Sequence, residues 1–121
     1  MSNVTTHEER MSAAQRVAER LTDALNMVLG EGWEPKVDGM TGGTWRVGAY
    51  HADADVLVTM HNTGEDYHFY KATYTPEPRY HGTGATPVEA LTEMRRKLRT
   101  SIAELETHYA AMGECMPEEL R

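Results

Sequence analysis

His51, Asp53 and Asp55 are the first residues whose types and spacing suggest chemistry. Set two apart, they point the same way along an extended segment. One imidazole and two carboxylates can grip a divalent cation, with His61, His68 or His81 completing the shell, and a metal-dependent hydrolase would be built there. Ala52 and Ala54 separate them, and the same run also reads as a solvated turn with its acids outward, the reading we adopt. Six histidines are present, but no Gly-x-Ser-x-Gly, no His-Glu-x-x-His and no lysine-bearing phosphate loop accompanies them. Gly82-Thr83-Gly84 precedes a helix start, where bare amides attract anions. Pro87 removes one of those amides and no cation follows in the first turn, so a helix-entry loop is expected instead. Cys115 lies among Glu114, Glu118 and Glu119, whose charge disfavours a thiolate. The expectation is a binding protein without catalytic residue, metal or cofactor.

Surfaces carry more information. Tyr67-His68-Phe69-Tyr70-Lys71-Ala72-Thr73-Tyr74 places rings on both faces of one strand. Either Tyr67 and Phe69 or Tyr70 and Tyr74 must turn away from the core, near Tyr50, Arg46 or His61, and exposed rings of this kind mark partner interfaces. Residues 31–66 hold Glu31, Glu34, Asp38, Asp53, Asp55, Glu65 and Asp66 against Lys36 and Arg46, an acidic sheet end suited to a basic partner. The candidate partner-binding set is therefore Tyr50, Tyr67, Phe69, Tyr70, Asp53, Asp55, Glu65 and Asp66. Arg95, Arg96 and Arg99, with Lys97, form the one basic run. It offers either a nucleic-acid contact or a solvated helix flank paired with Glu93 and Glu106.

Those residues need elements to hold them. At 121 residues and 13.6 kDa the chain has room for one domain, 1–121, with 1–5 and 114–121 expected to fray. Apolar residues make up 40% and charged residues 26%, enough for a core and a wetted surface. No apolar run approaches the roughly 18 residues of a membrane span. The first ten residues lack the layout of a secretory signal, and the single cysteine excludes an internal disulfide. Twelve Lys+Arg against nineteen Asp+Glu give a net charge of −7, which opposes general adhesion to nucleic acid or anionic lipid. A cytoplasmic protein is expected.

The period of the apolar residues sets the elements. Met11, Ala14, Val17, Ala18, Leu21, Leu25 and Val28 recur every three or four residues, which predicts a helix from about Thr6 to Leu29. Thr5 with Glu8, or Thr6 with Glu9, would cap it, and Gly30 and Gly32 would end it. From Trp33 to Tyr74 the period is two, with turns at 38–43, 51–55 and 62–66, which predicts a four-stranded antiparallel meander. Thr75 to Ala85, carrying Pro76, Pro78, Gly82 and Gly84, is expected to be an irregular connection. Thr86 as N-cap, Pro87 at the first position and Glu89 then predict a long helix to about Met112, stopped by Gly113. The expected fold is α+β, with both helices on one face of the sheet and the other face uncovered. About 27 residues make a rod of about 40 Å, longer than the sheet needs. Homodimerisation through Leu98, Ile102, Leu105 and Tyr109 is therefore expected.

Tyr80-His81-Gly82-Thr83-Gly84-Ala85-Thr86-Pro87-Val88-Glu89-Ala90-Leu91 resembles two small α+β families in its loop and helix start. In double-stranded-RNA-binding domains a similar loop leads into a lysine-rich helix start; Thr86, Pro87 and Val88 stand there instead, so that function does not carry over. The segment is also similar to HicB-like antitoxins, and that resemblance implies an acidic, dimeric, partner-binding protein. The expected function is occupation of a surface of another macromolecule. A phage or mobile-element accessory factor inhibiting a host nuclease or defence complex would act in this way. The alternatives are a HicB-like antitoxin, a nucleic-acid binder using Arg95, Arg96 and Arg99, and the hydrolase at His51, Asp53 and Asp55.

Overall fold

A computed structural model describes residues 7–41, 44–62 and 68–120. Helix α1 (His7–Leu29) leads into strands β1 (Trp33–Thr41), β2 (Thr44–His51), β3 (Val56–Asn62), β4 (His68–Tyr74) and β5 (His81–Gly84), then helix α2 (Pro87–Glu114) and a 3₁₀ turn at Glu118–Leu120. The strands form one sheet in chain order, each antiparallel to the next. The fold class is α+β, but the sheet has five strands where the sequence predicts four.

The extra strand corrects the reading of Thr75–Ala85 as wholly irregular, and the reason is geometric. Gly82 and Gly84 are two apart and share a face, alternating with His81 and Thr83. A methyl group at Gly82 would come within 2.4 Å of the Ala90 carbonyl oxygen and of the Met94 amide nitrogen. One at Gly84 would meet the Glu89 Cβ at 2.5 Å. These glycines are therefore strand residues whose bare face lets the α2 backbone lie directly on β5. The Lys97 ammonium donates to the His81 carbonyl at 2.8 Å and fastens the same contact.

Directly paired residues share a face. The row Ala49, Val58, Ala72, Gly82 crosses four strands, and Leu21 and Leu25 of α1 and Ala90 and Met94 of α2 close over it. Both helices thus bury their stripes on the same side of the sheet. A smaller patch sets Ala14 and Ala18 against Val47. Small side chains dominate, and Val58 is the largest that is fully buried.

Helix ends follow the local chemistry. The Thr86 hydroxyl accepts from the Glu89 amide at 3.2 Å, and the Glu89 carboxylate accepts in return from the Ala85 amide at 2.9 Å. The caps proposed at Thr5 and Thr6 lie outside the described residues. Gly30 takes φ +99° and Gly32 φ +114°, and the His51 ring occupies the space where a Gly32 side chain would stand. The Asn26 carboxamide then clamps Trp33, accepting from its amide at 3.0 Å and donating to its carbonyl at 3.3 Å. Gly113 does not stop α2, which runs on to Glu114 with Cys115 as its C-cap. β1 likewise continues to Thr41, past the start of the turn expected at Asp38.

Two glycine substitutions should differ in sign. Gly82→Ala should lower unfolding free energy by about 1–3 kcal/mol, because α2 must lift from β5. Gly113→Ala, in helical backbone with nothing within 4 Å, should raise it by about 0.5–1 kcal/mol. Urea unfolding of both variants checks the pair.

Candidate functional site

Strand alternation assigns the face away from the helices. Two rows cross it: Tyr50, Leu57, Thr73 and His81, then Gly48, Thr59, Lys71 and Thr83. His61 pairs with Phe69 in a third row, and Arg46 stands one step along β2 from Gly48 on the same side. Neither helix reaches this face.

Its centre is tightly organised. A methyl group at Gly48 would come within 2.3 Å of the Val58 carbonyl oxygen and 3.2 Å of Thr59 Cγ2. Thr59 fills that space and is 6% exposed despite facing away from the core. Its hydroxyl donates to the Lys71 carbonyl at 3.4 Å and lies 2.8 Å from His61 Nε2. A proton on Nε2 satisfies both contacts, with His61 as donor to the threonine oxygen. The imidazole then lies over the Phe69 ring, centroids 4.8 Å apart and planes 12° from parallel. Burial holds the His61 pKa below that of a free histidine, and the Lys71 and Arg46 charges add to the effect. The site therefore presents a neutral stacked ring pair beside two cations, on a chain whose net charge is −7.

Tyr50 is fixed at the other end of the face. Its hydroxyl donates to Asp55 Oδ1 at 2.9 Å, and that hydrogen bond chiefly raises the tyrosine pKa. Asp55 adopts φ +53°, a conformation aspartate tolerates better than most residues. Its carbonyl accepts from the Thr75 amide at 2.9 Å and the Thr75 hydroxyl at 3.1 Å, joining the β2–β3 turn to the exit of β4. Asp55 is thus a structural junction as much as a surface carboxylate.

Several expected placements change. The imidazole of His51 is engaged by the Ala54 amide and the Glu31 carbonyl, both at 3.3 Å, and meets Trp33 edge-on. Asp53 stands exposed in the turn and Asp55 is bound to Tyr50, so the proposed metal trio does not converge. Among the described residues no three His, Cys, Asp or Glu side chains gather as a metal site requires. Tyr70 and Tyr74 lie on the helix side, in register with Met60 and Val56 and packed against the core, which removes Tyr70 from the partner-binding set. Phe69 and Tyr50 do face outward, whereas Tyr67, Glu65 and Asp66 lie outside the described residues. Asp53 and Asp55 lie in the β2–β3 turn, at the sheet end where β1 begins and Glu34 stands, since Trp33 pairs with His51.

The basic run is also divided. Arg96 is bound to Glu93 at 2.7 and 3.1 Å, and Lys97 is tied to β5. Arg95 lines the opposite flank of the helix, toward α1, and Arg99 is exposed. Thr59, Lys71 and Gly48 were not singled out from sequence. Carrying the period-two pattern of Phe69 one step along β4 reaches Lys71, and cross-strand pairing from Lys71 reaches Thr59.

No protein-family model, curated protein or solved structure matches the chain. Among the described residues no helix is long and apolar enough to cross a membrane.

The site makes stability depend on pH in a defined direction. The folded state keeps His61 neutral, so the unfolded chain takes up the proton first as pH falls. The stabilisation is complete above about pH 6.5 and is lost as pH drops toward the folded-state value. NMR titration of the His61 ring should give a midpoint below that of the unfolded chain. Lys71→Met should move the midpoint upward, and His61→Gln should flatten the stability profile over this range.

Proposed function

We propose that the protein is a non-enzymatic binding module that occupies a surface of another protein through the uncovered sheet face. The supporting observation is the His61–Phe69 stack flanked by Lys71 and Arg46, on the side that both helices leave open. Rings held by neighbouring side chains lose little freedom on binding, and aromatic and arginine side chains contribute most at protein interfaces. Lys71 and Arg46 favour a partner patch that includes acidic groups, in contrast to the acidic surface expected from sequence. A protein partner fits better than a nucleic acid, because the chain carries net charge −7 and the α2 cations are split between its flanks. The role is occlusion, as in an accessory factor that covers a nuclease or a defence complex of its host.

The test compares variants on equal footing. Proteins retained by the immobilised wild type are identified from host lysate and measured individually. Phe69→Asp should weaken the specific partner at least about tenfold, the scale of a hot-spot residue. Arg20→Asp, exposed on α1 on the other side of the sheet and outside the α2 seam, should leave that affinity unchanged. Equal retention by wild type and Phe69→Asp overturns the reading.

A further inference from the structure

Helix α2 outruns the sheet that supports it. Its buried residues are Ala90 and Met94, and every position from Ile102 to Met112 is exposed. That outboard length holds Ile102 at 44%, Leu105 at 65%, Tyr109 at 80% and Met112 at 62% exposure. With the half-buried Leu98 they recur at intervals of four and three, which makes one continuous seam along the helix. An unsupported helix of this length is marginal in water, and four large apolar side chains in a row are more than a solvated helix needs. The seam does not end at the sheet. Through Leu98 it enters a cleft of about 490 Å³ between the helices, whose walls include Leu29, Trp33, Val88, Leu91 and Arg95.

We propose that a second copy of this chain covers the seam, the two α2 helices packing antiparallel so that the outboard end of each enters the cleft of the other. Charge and length select this arrangement. Stacking Ile102 on Leu105 of the second copy, and Leu98 on its Tyr109, gives a two-fold symmetric set of layers. The residues flanking those layers on one side are Arg99 and Glu106. Antiparallel packing brings each Arg99 to the Glu106 of the other copy, twice by symmetry. A parallel pair would place Arg99 near Met94 instead and leave both clefts open. Antiparallel packing also carries the far end of α2, from Tyr109 onward, over the cleft, where it covers Leu29 and Val88, which are 41% and 42% exposed. The occupant is thus fixed by complementarity of this chain with itself, independently of what binds the sheet face.

The experiment is sedimentation equilibrium on the full chain, with circular dichroism as the folding control. The wild type should be a dimer. Leu105→Asp should give a monomer with its sheet and melting cooperativity intact, because Leu105 packs on nothing in its own core. Arg99→Glu or Glu106→Arg alone should raise the dimer dissociation constant roughly fivefold to tenfold, and the double reversal Arg99→Glu/Glu106→Arg should restore it. A monomeric wild type, or a dimer indifferent to Leu105→Asp, overturns the proposal. So does a dimer that the single reversals weaken and the double reversal does not rescue, since that result denies the antiparallel pairing. Partner retention sensitive to Phe69→Asp tests the sheet face separately, so failure of either reading leaves the other standing.

Discussion

The direct seating of the α2 backbone on the glycine face of β5 is the contact on which the rest of the structure depends. Helices usually stand off a sheet by the thickness of two interleaved side-chain layers. Here Gly82, Ala72, Ala49 and Ala90 remove most of that thickness. The close approach supplies dense van der Waals contact, but little apolar area is hidden, because small side chains carry little. The core is therefore thin for a chain of this size. The apolar surface left on α2 has another cause, the length by which the helix outruns the sheet.

Seating both helices on one side divides the molecule into a structural face and a chemical one. On the structural face side chains are small and polar groups are consumed by caps and clamps. On the other face the polar groups are organised but incompletely used: Thr59 orients His61, His61 lies on Phe69, and Asp55 holds Tyr50. Burial, aided by the Lys71 and Arg46 charges, keeps the imidazole neutral, so the stack presents hydrophobic area beside positive charge.

Much of this was legible in the residues. The two helices follow from their apolar period, and the cap at Thr86 from the Thr-Pro-x-Glu order; the meander follows from short connections between alternating strands. Phe69 and Tyr50 were recognisable as interface candidates, but which rings of β4 faced outward was not. That choice required the pairing partner of Ala72, which places 70, 72 and 74 together against the core. The glycines of 81–84 misled for a physical reason: a residue that permits a turn also permits backbone to approach backbone, and local sequence does not distinguish the two uses. At 51–55 the alternating Ala and Asp pointed to a solvated turn rather than a metal-binding extended segment, and the turn is what forms. Asp55 enters left-handed space there.

The Asn26 clamp on Trp33 has a consequence for how any visitor can approach. Its two hydrogen bonds use the outward-pointing amide and carbonyl at the start of edge strand β1. Two residues along, where the next outward amide would stand, Pro35 has none to offer. The opposite border, β5, is only four residues long. The start of β1 and the short β5 thus give an incoming strand little to pair with, which disfavours extension of the ladder there.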